Sequence, residues 1–196
     1  SAVGDIFAWV INYGVPERYY RESEELEISL HELLIRKSAD QAVGEHGLLT
    51  LDWFNGNRSV LMDSNLSGLF IGLTLNTKHE DIYRAMIEAT AFGNRIIINA
   101  YQNSGIEIKE LIACGGLTNN KALLEIYSDV IGLEIKVATS TQTTALGGAI
   151  LGAMAAGSQD GGYDSYEEAI SIMTKPAQKV YKPNPQNRKV YNEMFK

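Results

Sequence analysis

Apolar positions follow extended and helical spacing in alternation, most clearly between residues 111 and 156. The apolar run 111–114 predicts a buried strand that stops at Gly115-Gly116, and helical spacing continues over residues 122–131. A second short strand is predicted over residues 135–138, and another helix over residues 145–154. Strands and helices in this order indicate an α/β domain with helices packed on a sheet.

The front half of the chain is predicted to contain two helices and an extended segment. Residues 5–12 form the first helix, which ends near Gly14. Ser29 and Glu32 have the spacing of a capping box and predict the start of the second helix. Residues 48–54 are expected to be extended and to lead into a polar turn.

The longest helix is predicted in the middle of the chain, and two short helices are predicted near its C-terminus. Thr77 and Glu80 are expected to form the capping box of the long helix, and Gly105 its stop. The two short helices are expected over residues 166–173 and 186–195.

The junction of strand and helix at Gly115-Gly116 is the main candidate for a binding site in this pattern. Glycines leave backbone N–H groups uncovered, and the positive end of the following helix favours an anionic or polar ligand. Asn119 and Asn120 add donors and acceptors at the same place. A nucleotide is commonly held in this way, but paired glycines after a strand also form plain tight turns, because glycine reaches positive φ without strain. Both alternatives stay open here.

The helix predicted over residues 145–154 is rich in small residues. Gly147, Gly148 and Gly152 lie within it, and each glycine costs about 1 kcal/mol relative to alanine in a helix. We therefore expect a close approach to this backbone. Packing of the helix on the sheet and direct contact with a ligand would both account for it.

Composition, charge and the chain ends narrow the classes of function. The chain length of 196 residues suits one well-packed domain, and the net charge of −7 argues against a nucleic-acid partner. Cys114 is the one cysteine of the sequence, which excludes an internal disulfide, and we expect it to be buried. The sequence contains no transmembrane pattern and no signal-peptide core, so a cytoplasmic location is expected. Because the chain opens on Ser1 in an apolar pattern, we expect a fragment or a processed form of a longer protein.

Several common catalytic motifs do not occur in the sequence. There is no P-loop, no dinucleotide-binding glycine fingerprint and no nucleophile elbow. His31-Glu32 begins like a zinc-protease motif, but Ile35 occupies the position of the second histidine. His46 and His79 have no evident ligand cluster, and His79 is expected to be a solvated residue in the first turn of the long helix.

Two carboxylates flank a polar turn in the first half of the chain. Asp52 and Asp63 lie on either side of residues 55–57 and Arg58. Carboxylates near an arginine could carry out acid–base chemistry. Polar residues are nevertheless usual in connecting loops, so a purely structural role is the other alternative.

Several segments resemble the C-terminal lobe of the FGGY carbohydrate kinases. The family signature corresponds to GLFIGL at residues 68–73 and, after a polar spacer, DIYRAMIE at residues 81–88. GGLTNN at residues 115–120, followed by YSDVIG at residues 127–132, resembles the adenosine-binding segment, and ALGGA at residues 145–149 resembles the helix after it. In the front half, SAVGDIFAW and GLLTLDWFNGNRS resemble the ribulokinase branch more than glycerol or xylulose kinases.

The resemblance implies an α/β fold, an actin-like (ribonuclease-H-like) ATPase lobe with a mixed sheet flanked by helices. Residues 1–196 would be one C-terminal, nucleotide-binding lobe of a two-lobe sugar kinase. Its N-terminal lobe, with the aspartate general base and the phosphate loop, would precede Ser1, so no catalytic residue is expected in this chain. The implied reaction transfers a phosphoryl group from ATP to L-ribulose in L-arabinose catabolism, with Mg²⁺ held mainly through the nucleotide phosphates. The implied partners are ATP, the ketopentose, the N-terminal lobe and a second copy in a homodimer, with no nucleic acid and no membrane.

The resemblance also assigns roles to residues of the glycine turn and of the small-residue helix. The cofactor-binding residues that it implies are Gly115, Gly116 and Leu117 against the adenosine, Asn119 and Asn120 as polar contacts, and Gly147 and Gly148 in the helix close behind. Many members carry a Glu where this chain has Thr143-Thr144. The alternatives are an actin-fold nucleotide-binding or regulatory module without phosphotransfer, another FGGY kinase, and a lobe that mainly contributes a dimer interface.

Overall fold

The described part of the chain, residues 3–177 and 179–196 of a computed structural model, folds into eight α-helices and five short strands. The helices are α1 (Val3–Gly14), α2 (Glu17–Glu25), α3 (Leu30–Ser38), α4 (His79–Asn103), α5 (Lys121–Ile131), α6 (Thr143–Ala156), α7 (Tyr166–Met173) and α8 (Pro185–Met194). The strands are β1 (Leu49–Leu51), β2 (Leu69–Ile71), β3 (Glu110–Ala113), β4 (Glu134–Val137) and β5 (Lys179–Tyr181). Within these described ranges, no helix has the length and apolar character needed to span a membrane.

The strands form two separate sheets. β3, β4 and β5 form a mixed sheet in which β4 lies between a parallel β3 and an antiparallel β5. β1 and β2 form an antiparallel pair of their own. Because β3 and β4 are parallel, the loops that follow them meet at one edge of the sheet, where ligands of open α/β sheets commonly bind.

The main hydrophobic core lies around α4, which packs against α1, α3, α5 and β1. Tyr83, Met86 and Ile87 on α4 are each 3% exposed or less and pack with apolar side chains of α1, α3 and α5. Leu111 of β3 and Ile135 of β4 belong to the same core. The sheet therefore buries one face against the helices.

Charged and polar side chains of α4 are also buried, and they connect distant segments. The Glu88 carboxylate accepts hydrogen bonds from Arg84 on the same helix and from the hydroxyl of Tyr191 on α8, at 3.1 and 2.9 Å. The His46 side chain, in the connection before β1, lies 3.1 Å from the other Glu88 oxygen. Arg84 donates further hydrogen bonds to the backbone carbonyl groups of Ser38, the last residue of α3, and of Gln41 after it. This buried network fixes α8 and the connection from α3 to β1 against α4.

Two glycines of the segment 68–73 are required by close approaches of other atoms. A Cβ at Gly68 would lie 2.2 Å from the ring of Phe54. Gly72 has φ +96°, and a Cβ there would lie 2.2 Å from the carbonyl oxygen of Gly47. A larger residue is excluded at Gly72 by backbone atoms and by φ, and at Gly68 it would displace the Phe54 ring, so both glycines serve the packing of β2.

Most of the predicted elements are confirmed, and three were not predicted. The helices predicted over residues 5–12, 122–131 and 145–154 are found within two residues at each end. The Ser29 cap is confirmed, since its hydroxyl accepts a hydrogen bond from the Glu32 N–H at 3.1 Å. α2, β2 and β5 were not predicted, because α2 is mostly charged and the two strands are three residues long.

The capping box predicted for the long helix is wrong. A helix capped by Thr77 would begin at Lys78, but α4 begins at His79 and has Lys78 as its N-cap residue. The Asp81 carboxylate accepts a hydrogen bond from the Lys78 N–H at 2.8 Å. Glu80, expected to be the capping acid, is buried and accepts a hydrogen bond from the Tyr19 hydroxyl at 2.6 Å. The shift by one residue turns Glu80 toward α2 instead of toward the helix end.

Two burial predictions are also wrong. Cys114 is exposed rather than buried. Side chains alternate along an extended segment, and since Leu111 and Ala113 pack against the core, the next residue points away from it. His79 is not a fully solvated residue, because its ring is partly buried and lies edge-on to the ring of Tyr19 at 5.5 Å between centroids.

Candidate functional site

The glycine turn joins the end of β3 to the start of α5. Gly115 has φ +89°, a left-handed conformation that favours glycine. Gly116 does not have positive φ, and a Cβ added there would meet no described atom within 4 Å beyond its two chain neighbours. Thr118 closes the turn, since its N–H and its hydroxyl donate to the Gly115 carbonyl oxygen at 3.1 and 2.7 Å. Gly115 is thus required by the turn, whereas Gly116 leaves space beside the backbone.

Asn120 has a structural task in this turn. It is the N-cap of α5, and its side-chain oxygen accepts a hydrogen bond from the Leu123 N–H at 3.1 Å. Capping satisfies one of the free N–H groups at the helix start. The side-chain amide NH₂ group of Asn120 is not used by this bond.

A cavity of about 390 Å³, here called the front cavity, lies on one side of the turn. It is lined by Gly4, Phe7, Ser29, His31, Glu32, Ile35, Tyr83, Gly116, Asn119, Asn120 and Leu123. These residues bring the N-terminal ends of α1, α3 and α5 to one place. Its volume is in the range of sites that hold small molecules and cofactors.

A second cavity of about 330 Å³, here called the rear cavity, lies on the other side of the turn. It is lined by Cys114, Gly115, Gly116, Thr118, Asn119, Val137, Ala138, Thr139, Ser140, Thr141 and Lys179. It lies between the loops that follow β3 and β4, and Lys179 is the charged residue of its wall. Gly116 and Asn119 line both cavities.

The front cavity combines apolar walls with the partial positive charge of helix ends. Phe7 and Leu123 are buried and provide apolar surface. The first turns of α1, α3 and α5 carry N–H groups that are not bonded within the helix, and these favour anions and polar acceptors. This combination suits a ligand with a flat apolar part and polar or anionic groups.

His31 and Tyr83 are two ionisable residues of the front cavity that contact each other. The Tyr83 hydroxyl lies 2.7 Å from His31 Nδ1. Burial lowers the pKa of the His31 imidazole below its usual value, and burial raises the pKa of the Tyr83 hydroxyl above its own. At neutral pH the imidazole is therefore neutral and the phenol keeps its proton.

The predicted site residues are only partly brought together. Gly116, Asn119 and Asn120 line the front cavity, and Gly115 lines the rear cavity. The side chain of Leu117 lies outside the described residues.

Gly147 and Gly148 on α6 line neither of these two cavities. A Cβ at either glycine would meet no described atom within 4 Å, so packing of α6 on the sheet does not explain them. Their predicted role behind the nucleotide stays a prediction.

Asp52 and Asp63, the two carboxylates that flank the polar turn, do not belong to this site. Asp52, Asn57 and Arg58 line a separate cavity of about 170 Å³, and the Asp52 carboxylate lies close to Gly93 on α4. Asp63 exchanges backbone hydrogen bonds with Asn57, and its side chain accepts from the N–H two residues later. Their arrangement agrees with a structural part in this loop.

Sequence reasoning missed the contribution of α1, α3 and α4 to the front cavity. Gly4, Phe7, His31 and Tyr83 are far apart along the chain and follow no local motif. The one local signal was the position of His31, two residues after the predicted N-cap Ser29. Such a residue lies in the first turn of a helix, where ligands often bind.

A protein-family model and curated relatives from several bacteria match this chain. A model of the C-terminal domain of the FGGY family of carbohydrate kinases matches residues 1–156. A ribulokinase of Bacillus licheniformis is 50% identical over 196 residues, which are 100% of this chain and 36% of the relative. A ribulokinase of Anoxybacillus flavithermus is 53% identical over 197 residues, 100% of this chain and 35% of the relative. The chain thus spans about a third of the length of the curated relatives it matches.

Solved structures share the fold at lower identity. A xylulose kinase from Lactobacillus acidophilus has a TM-score of 0.78 at 20% identity and covers 98% of this chain and 36% of its own. A glycerol kinase from Plasmodium falciparum, solved with ADP, has a TM-score of 0.69 at 21% identity and covers 99% of this chain and 36% of its own. The lobe therefore has the actin-like ATPase fold of these kinases. Since the family model matches 156 residues of the 196 in the chain, the chain belongs to the FGGY family of carbohydrate kinases, as its C-terminal domain.

Proposed function

We propose that this chain is the nucleotide-binding lobe of an ATP-dependent sugar kinase, and that the full-length protein converts L-ribulose and ATP to L-ribulose 5-phosphate and ADP. The observation that carries this proposal is the identity of about half of all positions, over the whole chain, with curated ribulokinases. The solved xylulose and glycerol kinases share the fold at much lower identity, so they support the fold and not the choice of sugar.

The front cavity is the place proposed for the adenosine. The base would lie between the apolar surface of Phe7 and Leu123 and the open backbone at Gly116. Asn119 and the free amide group of Asn120 would supply polar contacts. The phosphates would then leave the cavity near the helix N-termini, where negative charge is favoured. Mg²⁺ is expected to be held mainly through these phosphates.

The share of this lobe in the reaction is to position the nucleotide. Phosphoryl transfer depends on alignment and charge stabilisation more than on covalent chemistry of the protein. The general base and the sugar site are expected in the part of the protein that precedes this chain. Closure of the two lobes would bring the γ-phosphoryl group to the sugar hydroxyl and exclude water. A cytoplasmic location and a homodimer stay predictions.

An assay of the full-length protein tests the proposed reaction. The rate of ADP formation from ATP would be measured with L-ribulose, D-ribulose, D-xylulose or glycerol as the second substrate. We expect the highest kcat/KM with L-ribulose. A higher kcat/KM with another of these compounds would make that compound the proposed substrate in place of L-ribulose. If none of them raises ADP release above the sugar-free rate, the kinase reaction is contradicted and a nucleotide-binding module is favoured.

Residues 1–196 alone are expected to show no kinase activity, because the general base and the phosphate loop are placed outside them. The same assay on the purified lobe, with the full-length protein as the positive control, checks this expectation. ATP-dependent phosphorylation of L-ribulose by the lobe alone would overturn the division of tasks between two lobes.

A further inference from the structure

The pair His31 and Tyr83 has a geometry that the proposed reaction does not by itself require. Tyr83 is 3% exposed, and its ring lies 5.3 Å from the ring of Phe7 and 5.9 Å from the ring of His31, between centroids. His31, by contrast, lies on the rim of the front cavity at the start of α3 and is exposed. A buried ring on α4 thus holds an exposed imidazole at the cavity.

The hydrogen bond between the two side chains selects one tautomer of the imidazole. The Tyr83 hydroxyl is a buried phenol that keeps its proton, and among the described residues the structure gives it no acceptor other than His31 Nδ1, at 2.7 Å, so we assign the hydroxyl as the donor. A neutral imidazole that accepts at Nδ1 carries its proton on Nε2. His31 is therefore assigned as the Nε2–H tautomer from this network.

The donor that results is available to a ligand. Nδ1 is turned toward Tyr83, so Nε2 is directed away from α4. Among the described residues, the hydrogen bond that the structure gives to the His31 side chain is the one with Tyr83. The neighbouring Glu32 pairs with Arg36 on the same helix. Because His31 lines the front cavity, its neutral Nε2–H is a candidate donor for an acceptor bound there.

We propose that His31 Nε2–H donates a hydrogen bond to an acceptor of the bound nucleoside, a ring nitrogen of the base or a ribose oxygen, and that Tyr83 is a positioning residue that fixes this tautomer. This inference rests on the proposed function, since it needs a nucleotide in the front cavity. It adds a contact from α3 to those of the glycine turn. A neutral hydrogen bond of this kind contributes about 0.5–1.5 kcal/mol, which corresponds to about a two- to tenfold change in Kd.

The test uses the full-length protein and titration with Mg²⁺ and a non-hydrolysable ATP analogue. His31→Asn keeps a polar atom near the position of Nδ1 and loses the donor at Nε2, so its Kd should rise about five- to tenfold. His31→Gln can place an amide N–H near the position of Nε2 and should recover most of the affinity. Lys37→Gln, a change at an exposed residue of the same helix that pairs with Glu22 on α2 and lies outside the cavity, is the matched control and should leave Kd unchanged.

A double-mutant cycle separates positioning from general support of the fold. Tyr83→Phe should raise Kd in the otherwise unchanged protein and should have no further effect when His31 is already Asn. Additive effects of the two changes, or an unchanged Kd in His31→Asn, would overturn the inference. Absence of analogue binding in the unchanged protein would contradict the proposed function itself. Because His31 is exposed, its two variants remain informative even if Tyr83→Phe lowers stability.

Discussion

Replacement of Glu88 by glutamine is expected to lower the free energy of unfolding by about 3 kcal/mol or more, because it removes the negative charge from a buried network. The Glu88 side chain is 2% exposed, and its partner Arg84 is 8% exposed. Glutamine has nearly the same shape, so the loss reports the charge and not a cavity. Arg84 would stay buried without its counter-charge.

The contact with His46 adds to this loss. The Leu48 N–H donates to His46 Nδ1 at 3.1 Å, so Nδ1 is the acceptor of the ring and the Nε2–H donates to Glu88. The Tyr191 hydroxyl donates to the same carboxylate. A glutamine side chain has one acceptor oxygen for the three donors Arg84, His46 and Tyr191. Its NH₂ group also needs acceptors of its own. At least one buried polar group is then left unsatisfied.

Urea unfolding of the full-length protein, followed by circular dichroism, measures the effect. Glu32→Gln is the matched control, because Glu32 pairs with Arg36 across one turn of α3 but its side chain is 47% exposed. Exposed pairs of this kind contribute about 0.2–1 kcal/mol. If the Glu88 variant loses no more stability than the Glu32 variant, the network is not the connection between α4, α8 and the segment before β1 that its geometry indicates.

Replacement of Gly116 by valine is expected to raise the KM for ATP by about tenfold or more, a loss of about 1.4 kcal/mol in nucleotide binding, with little change for the sugar. Apart from its two chain neighbours, a Cβ at this position meets no described atom within 4 Å, and φ is not positive, so the valine enters free space beside the turn. This is the space proposed for the adenosine. The variant should therefore fold normally and bind ATP poorly.

Steady-state kinetics of the full-length protein, with ATP and L-ribulose varied in turn, checks this result. Gly152→Val on α6 is the matched control, because a Cβ there also meets open space and the residue lines neither cavity. An unchanged KM for ATP in a normally folded Gly116 variant would make Gly116 a turn residue alone.

Much of the region from β3 to α6 could be predicted from the sequence, because each element there carries its own local signal. Asn120 caps α5, and Gly132 ends it in a left-handed conformation. The apolar spacing between them matches a helix with one buried face. Local signals of this kind act within a few residues, so the helix bounds were predicted closely.

The errors arose where burial or register depends on distant segments. The run Leu111 to Cys114 is apolar throughout and is typical of a strand covered on both faces, but the helices cover one face, so Cys114 is exposed. The start of α4 was misplaced by one residue because Glu80 bonds Tyr19, sixty-one positions away. Neither partner follows from a local pattern.

The candidate site was predictable on one side only. The glycine turn has a local signal, whereas the opposite wall of the front cavity comes from α1, α3 and α4 through tertiary packing. The glycines of α6 give a clear local signal in the sequence, but no described neighbour in the structure explains them. Small residues indicate a close approach, but they do not identify what approaches.

The location of the bound nucleotide decides whether the front cavity is the adenosine site. A crystal structure of the full-length protein with Mg²⁺ and a non-hydrolysable ATP analogue would show it. We expect the adenosine in the front cavity, against Gly116 and with His31 Nε2 within hydrogen-bonding distance of the nucleoside. Adenosine in the rear cavity beside Lys179, or bound away from the glycine turn, would contradict it.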